Sequence, residues 1–357
     1  MVCVVIMAGG RGERFWPKSR AAKPKQFIDI TGTGNMLLLT YRRVVKLVAP
    51  EQIFVVTGVE YKAATLDSLP ELPPENIIIE PEGRNTAPCI GLAAVVLEKR
   101  FPGAVMVVVP ADHFIIEEDK FIDDLRQTIT LASDTGGLVT IGVRPSRPET
   151  GYGYLQTGPQ VVNTGHTAAL KVTRFVEKPD YDTALKLLTE GNYLWNAGIF
   201  VWKTTVILEA FENFLPEIYR GLMELKDRLG DHDFAELLVR VYAGFPRISI
   251  DYGIMEKAEQ VYTIPGNFIW DDVGTWNALP RVLCADQDEN ILSGEVVALD
   301  SKNSIIDAGR RLVAVIGADN LVIVDTEDTT FVCHKNKIEM VRELLEELRR
   351  RNMGKYL

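Results

Sequence analysis

The sequence predicts an α/β protein: a doubly wound, mostly parallel sheet, then a small β-rich C-terminal domain and a terminal helix. Three observations carry this. The chain opens on an unbroken apolar run at residues 2–7, VCVVIM, which reads as a strand buried on both faces. Apolar runs then alternate with amphipathic stretches as far as residue 143, the βαβ pattern. Beyond residue 290 the spacing shortens, and one short apolar run follows another.

In order, residues 36–48 form a helix with Leu37, Tyr41, Val44, Val45 and Val48 on one stripe. Strands are expected at 53–57, 77–80, 105–109 and 138–143, and helices at 59–68, 87–99 and 119–133. Ligands of such sheets bind beyond the carboxyl ends of the strands. The loops 8–17, 80–88 and 110–113 all leave those ends. After residue 145 the texture changes: 151–154 and 169–176 alternate like antiparallel strands, 194–200 and 268–272 are strand-like, and 181–190 and 204–243 are mostly helical. This half is expected to insert into the first sheet or pack beside it. From 290 to 332 the runs EVVALD, NSIID, RLVAVIG, LVIVDT and TFVCH predict a stacked coil, such as a short left-handed β-helix, or a small sandwich. Residues 336–351 form an amphipathic helix with Ile338, Val341, Leu344, Leu345 and Leu348 inward, and Glu346–Arg350 and Glu347–Arg351 as i,i+4 pairs. Two domains are expected, 1–282 and 283–357.

With 357 residues, 46% apolar and 25% charged, the composition is that of a soluble globular protein. No run reaches the roughly 18 apolar residues of a membrane span, and no basic leader precedes the first strand. A cytoplasmic protein without a membrane partner is expected. Cys3, Cys89, Cys284 and Cys333 lie far apart and read as reduced thiols. A net charge of −10 argues against nucleic acid as a partner. Against that background, residues 11–25 hold Arg11, Arg14, Lys18, Arg20, Lys23 and Lys25, with only Glu13 opposing them. A cationic glycine loop at the end of a first strand suits a polyphosphate. It lacks the third glycine of a dinucleotide fingerprint and the Lys-Ser/Thr of a P-loop.

Further groups carry chemistry. Asp112 and Asp272 each follow a buried strand; two such carboxylates suit Mg²⁺ (or Mn²⁺), which completes its shell from water and phosphate. Asp271 is an extra carboxylate beside them. Glu177-Lys178-Pro179 reads either as a surface turn or as a lysine point charge for a phosphate monoester beside a glutamate that can accept sugar hydroxyls. Gly151-Tyr152-Gly153-Tyr154 and Trp195-Asn196-Ala197-Gly198 suit a pyranose, although Tyr154 and Trp195 read equally well as core. Asp251 either caps the helix 252–258 or contacts the sugar or a lysine. The loop 80–88, EPEGRNTAP, is the expected base reader, with Glu80, Arg84, Asn85 and Thr86. Guanine's N1–H and N2–H₂ want a carboxylate, while Thr86 has the alternative of capping the next helix.

The string GG-x-G-x-R-x-x-P over residues 9–17, with Pro24-Lys25-Gln26-Phe27 beyond it, resembles the signature of the sugar-1-phosphate nucleotidylyltransferases. Phe15-Trp16-Pro17, the E-P-x-x-R-N-T-A-P loop and residues 249–256, SIDYGIME, resemble most the mannose-1-phosphate guanylyltransferase branch. The resemblance covers roughly residues 1–280. It implies that GTP and α-D-mannose 1-phosphate give GDP-mannose and pyrophosphate by Mg-assisted in-line attack, with no covalent intermediate. It implies that Arg14 and the amides of Ala8, Gly9, Gly10 and Gly12 hold the β- and γ-phosphates, that Lys25 stabilises the α-phosphoryl group, and that Lys178 positions the sugar phosphate. Gly151, Glu177, Asn196 and Asp251 would hold the sugar, and Asp112 and Asp272 the metal. Two other functions compete: the same chemistry on another nucleotide and sugar phosphate, such as glucose 1-phosphate, or a non-catalytic sugar-nucleotide-binding regulatory subunit. The second should lack some of Arg14, Lys25, Asp112 and Asp272; all are present. Longer members of the branch add an isomerase domain, and no isomerase activity is expected here. The β-rich tail offers a surface for a homodimer.

Overall fold

Val2–Met7 pairs in parallel with Ile53–Gly58 on one side and Val105–Pro110 on the other. Its four central residues are fully buried, as a strand covered on both faces requires. The computed structural model describes residues 1–10, 12–164 and 167–357. Two units emerge, neither contiguous in sequence: Met1–Gly9, Thr40–Ala111 and Ile115–Trp270 form the first, and Gly10–Leu39, Asp112–Phe114 and Asp271–Leu357 the second. Among the described residues no helix is long and apolar enough to cross a membrane.

The first unit is built on a nine-stranded sheet. Its order is Ile77–Glu80, Ile53–Gly58, Val2–Met7, Val105–Pro110, Tyr193–Lys203, Leu138–Val143, Val261–Pro265, Thr167–Glu177, Gly153–Thr164. The strands around Val2–Met7 run parallel. Tyr193–Lys203 enters antiparallel to both its neighbours, so the half after residue 145 is woven into the sheet. The alanine-rich helix Thr86–Arg100 is buried from Ala87 to Leu97 and packs in one core with Val5, Phe54, Met106, Phe211 and Leu222. The mostly helical stretch 204–243 holds three helices: Thr204–Phe214, Pro216–Asp227 and Phe234–Ala243. Pro216 begins the second, as proline favours a first turn.

In the second unit Ile291–Ser293, Ile305–Asp307 and Leu321–Asp325 pair in parallel, with Ile291, Ile305 and Val322 stacked and buried. Val296–Leu299 and Val313–Ile316 form a second parallel pair. Successive parallel strands at short spacing make a stacked coil, which excludes the sandwich. Thr330–His334 closes it antiparallel. Helix Val341–Arg350 follows a 3₁₀ turn and buries Val341 and Leu345. Glu347 takes both Arg350, at 2.6 Å, and Arg351, at 2.6 Å; Arg350 therefore pairs with Glu347 rather than with the expected Glu346.

Residues 13–20 lie against this tail. Phe15 packs on Trp276, ring centres 5.2 Å apart, and Trp16 edge-on to Phe331 at 5.5 Å. Trp16 Nε1 donates to the Tyr356 carbonyl at 2.7 Å, and Trp276 Nε1 to the Trp16 carbonyl at 3.1 Å. Lys18 pairs with Asp307, Arg20 with Asp328 at 2.8 Å, and Arg349 with Glu13 at 2.9 Å.

Candidate active site

The chain leaves the first strand at Ala8, whose N–H donates to the Val56 carbonyl at 2.8 Å. That amide continues the sheet, so the reading of the loop's amides as anion donors applies from Gly9 onward. Arg11 lies outside the described residues. Gly12 has φ 57°, and a Cβ there would stand 2.8 Å from the Lys25 nitrogen. Both the left-handed backbone and the close approach require glycine.

Lys25 is 4% exposed. Its Nζ donates to Asp112 Oδ2 at 2.9 Å, to the Asp112 carbonyl at 2.8 Å and to the Asp272 carbonyl at 2.5 Å. One fixed ammonium therefore gathers both predicted metal aspartates. Burial pushes the Asp112 carboxyl up, but the Lys25 charge beside it prevails and holds it below the usual range. A Cβ on Gly274 would lie 3.1 Å from Asp272 Oδ2 and 3.6 Å from Arg14 Nη1, so those two side chains converge over that glycine. Asp271 is differently employed. Arg281 grips it with two bonds, 2.6 and 3.0 Å, and Val273 N–H donates to it at 2.8 Å. Val273 sits at φ 46°, a strained conformation for a β-branched residue. Asp271 thus secures the turn that presents Asp272.

The donor set fits a hard divalent ion. Two carboxylate side chains are few ligands, as Mg²⁺ prefers when phosphate and water supply the rest. Among the described residues no group of three or more His, Cys, Asp or Glu gathers as a closed metal cage. Of the cationic cluster, Lys25 bonds to both aspartates and Arg14 reaches the same glycine, Gly274, as Asp272. Lys18 and Arg20, which carry no assigned role, pair with Asp307 and Asp328 of the tail.

A second group forms in the first unit. Glu177 is nearly buried and accepts from Lys178 Nζ at 2.6 Å. Burial lowers the affinity of Lys178 for its proton, but the bond to Glu177 outweighs it and the pKa is raised. Lys178 has φ 46° and donates its N–H to the Tyr152 carbonyl at 3.1 Å. Asn196 accepts from Thr140 at 2.9 Å and donates to Asp251 Oδ1 at 2.9 Å. Burial, and then the charge of Glu177, raise the Asp251 carboxyl to about 7. No helix cap is made by Asp251, whose carboxylate meets Asn196. Gly151 is exposed, its N–H donating to Glu149 Oε1 at 3.1 Å. Tyr154 and Trp195 are core, 0% and 3% exposed.

In the loop after Ile77–Glu80, Glu80 accepts from the Tyr242 hydroxyl at 2.6 Å. Arg84 turns toward the end of helix Phe234–Ala243, donating to the carbonyls of Phe245 at 2.9 Å and Ala243 at 2.8 Å. Asn85, at φ 72°, caps the next helix by accepting from Thr86 N–H at 2.8 Å. Thr86 instead accepts from Ile250 N–H at 2.9 Å, so the capping alternative passes to its neighbour. Sequence reading missed Tyr242 and Arg281. Tyr242 hides on an apolar helix face, and Arg281 has no local motif.

A glycine turn, a buried lysine on two aspartates and a parallel sheet define a nucleotidyl-transferring protein. The chain belongs to the nucleotidyl transferase family, whose model matches residues 3–289. Residues 294–348 match the MannoseP isomerase/GMP-like beta-helix domain. Xanthan biosynthesis protein XanB of Xanthomonas campestris pv. campestris is 38% identical over 354 residues, 98% of this chain and 73% of that protein. A mannose-1-phosphate guanylyltransferase of Klebsiella pneumoniae is 37% identical over 359 residues, 100% of this chain and 76% of that protein. A crystal structure from Thermus thermophilus, described as mannose-1-phosphate geranyltransferase, superposes with a TM-score of 0.87 at 36% identity, covering 98% of this chain and 99% of that one.

Proposed function

We propose that this chain transfers GMP from GTP to α-D-mannose 1-phosphate and releases pyrophosphate. An oxygen of the sugar phosphate attacks the α-phosphorus in line, and the bond to the pyrophosphate oxygen breaks. Both reactants are anions, so the work is alignment and charge neutralisation. Arg14 and the amides of Gly9, Gly10 and Gly12 take the β- and γ-phosphates. Lys25 stabilises charge at the α-phosphoryl group, and Lys178 positions the attacking phosphate. Gly151, Glu177, Asn196 and Asp251 hold the sugar. Glu80 accepts from guanine on a loop shaped by Arg84, Asn85 and Thr86. A Mg²⁺ or Mn²⁺ ion held by Asp112 and Asp272 would neutralise charge on the two phosphate groups.

The observation that carries this reading is the Lys25 ammonium bonded to both Asp112 and Asp272. Similarity to proteins such as the mannose-1-phosphate guanylyltransferase of Klebsiella pneumoniae favours guanine and mannose. A panel of nucleoside triphosphates and sugar 1-phosphates, scored by pyrophosphate release, tests it. GTP with mannose 1-phosphate should be the fastest pair. A faster pair would replace the substrates and keep the chemistry. Silence from every pair would leave a sugar-nucleotide-binding regulator.

A further inference from the structure

Helix Phe234–Ala243 carries a hydroxyl into the core of the first unit: Tyr242 is 0% exposed. It donates to Glu80 Oε1 at 2.6 Å, and the Arg84 N–H approaches the same oxygen at 3.5 Å. The other oxygen, Oε2, is turned to Gly9, where a Cβ would stand 3.1 Å from it. The same helix end receives the Arg84 side chain, so it holds the start and the middle of the 80–88 loop. The last torsion of a glutamate is broad. A carboxylate without a fixed partner presents either oxygen, at a range of angles.

We infer that Tyr242 is a positioning residue for nucleobase selection, locking Glu80 so that Oε2 is presented beside Gly9 to a purine bearing a 2-amino group. The inference rests on Glu80 as the base reader of the proposed reaction. Burial raises the Glu80 carboxyl above its usual range, and the Tyr242 bond works against that rise, favouring the ionised acceptor. A site built around such an acceptor discriminates against a base lacking the donor, because the buried acceptor is then left unpaired.

Tyr242→Phe removes the hydroxyl and keeps the ring. The readout is kcat/KM for GTP over that for ITP, which lacks the 2-amino group. This ratio does not depend on how much of a preparation is folded. We expect it to fall roughly tenfold, mainly through KM for GTP, with kcat at saturating GTP kept within about twofold. An unchanged ratio overturns the inference. A 3-fluorotyrosine at 242 is nearly isosteric and a stronger donor; it should retain the preference, and losing it would equally overturn the inference. Glu80→Gln separates this from the reading beneath it. If the unmodified chain does not prefer GTP to ITP, or Glu80→Gln leaves the ratio alone, the base-reading role itself fails. If Glu80→Gln collapses the ratio and Tyr242→Phe does not, only the role of Tyr242 fails.

Discussion

Lys25 shows how little room a single side chain can have. Its ammonium is nearly out of water and has three acceptors on two aspartates. Lys25→Ala should lower turnover by on the order of 10²–10³, the scale of losing one preorganised charge stabiliser; a steady-state kcat within threefold of the parent would remove it from the chemistry. Asp251 offers a pH test. Its folded carboxyl titrates near 7, against roughly 4 in an unfolded chain. The folded state therefore holds a proton that the unfolded state has lost between those values. The stability this gives is complete below about pH 4 and drains as pH rises toward 7, by at most about 1.4 kcal/mol per pH unit. Asp251→Asn should flatten that part of a plot of Tm against pH, and a slope matching the parent's would show that another group titrates. These residues were legible as types in motifs. Their partners were not, because Lys25 meets Asp112 across 87 positions and Asn196 meets Asp251 across 55.

At the scale of elements, strands were read well because burial on both faces leaves an unmistakable apolar run. Val2–Met7, Ile77–Glu80 and Leu138–Val143 appear where expected. The stretch 204–243 was read as mostly helical without its breaks, although Pro216 and Gly230 mark them. Turns were least legible. In Asp271-Asp272-Val273-Gly274 the resemblance singles out Asp272, but what the extra Asp271 does comes from Arg281, ten residues on. Arg281→Met leaves a buried carboxylate without its cation. It should cost about 1–3 kcal/mol and raise the Mg²⁺ concentration giving half-maximal turnover, because Asp272 is no longer held in place. A Mg²⁺ titration superimposing on the parent's would show that the clamp serves stability alone.

Across the whole molecule, the parallel sheet was foreseeable from spacing, and the tail as either a stacked coil or a sandwich until its parallel pairing decided for the coil. The division of the chain was not foreseeable: Gly10–Leu39 belongs with the C-terminal unit, whereas the cationic turn after Gly9 reads as a loop of the first sheet. Trp16, 5% exposed among Phe331, Trp276 and the terminal turn, is what fastens that segment. Trp16→Ala should cost about 3–5 kcal/mol, read as a lower Tm, and a loss under about 1 kcal/mol would mean the cluster closes over the gap.

That fastening changes what the short string Phe-Trp-Pro-Lys-Ser-Arg can be used for. Three of its letters, Trp16, Lys18 and Arg20, are answered by Phe331, Asp307 and Asp328 in this chain. A genome search on those six letters would therefore retrieve polypeptides that own a matching tail, whatever nucleotide they consume. The residues proposed for the chemistry flank that string, Gly9, Gly10, Gly12 and Arg14 before it and Lys25 after it.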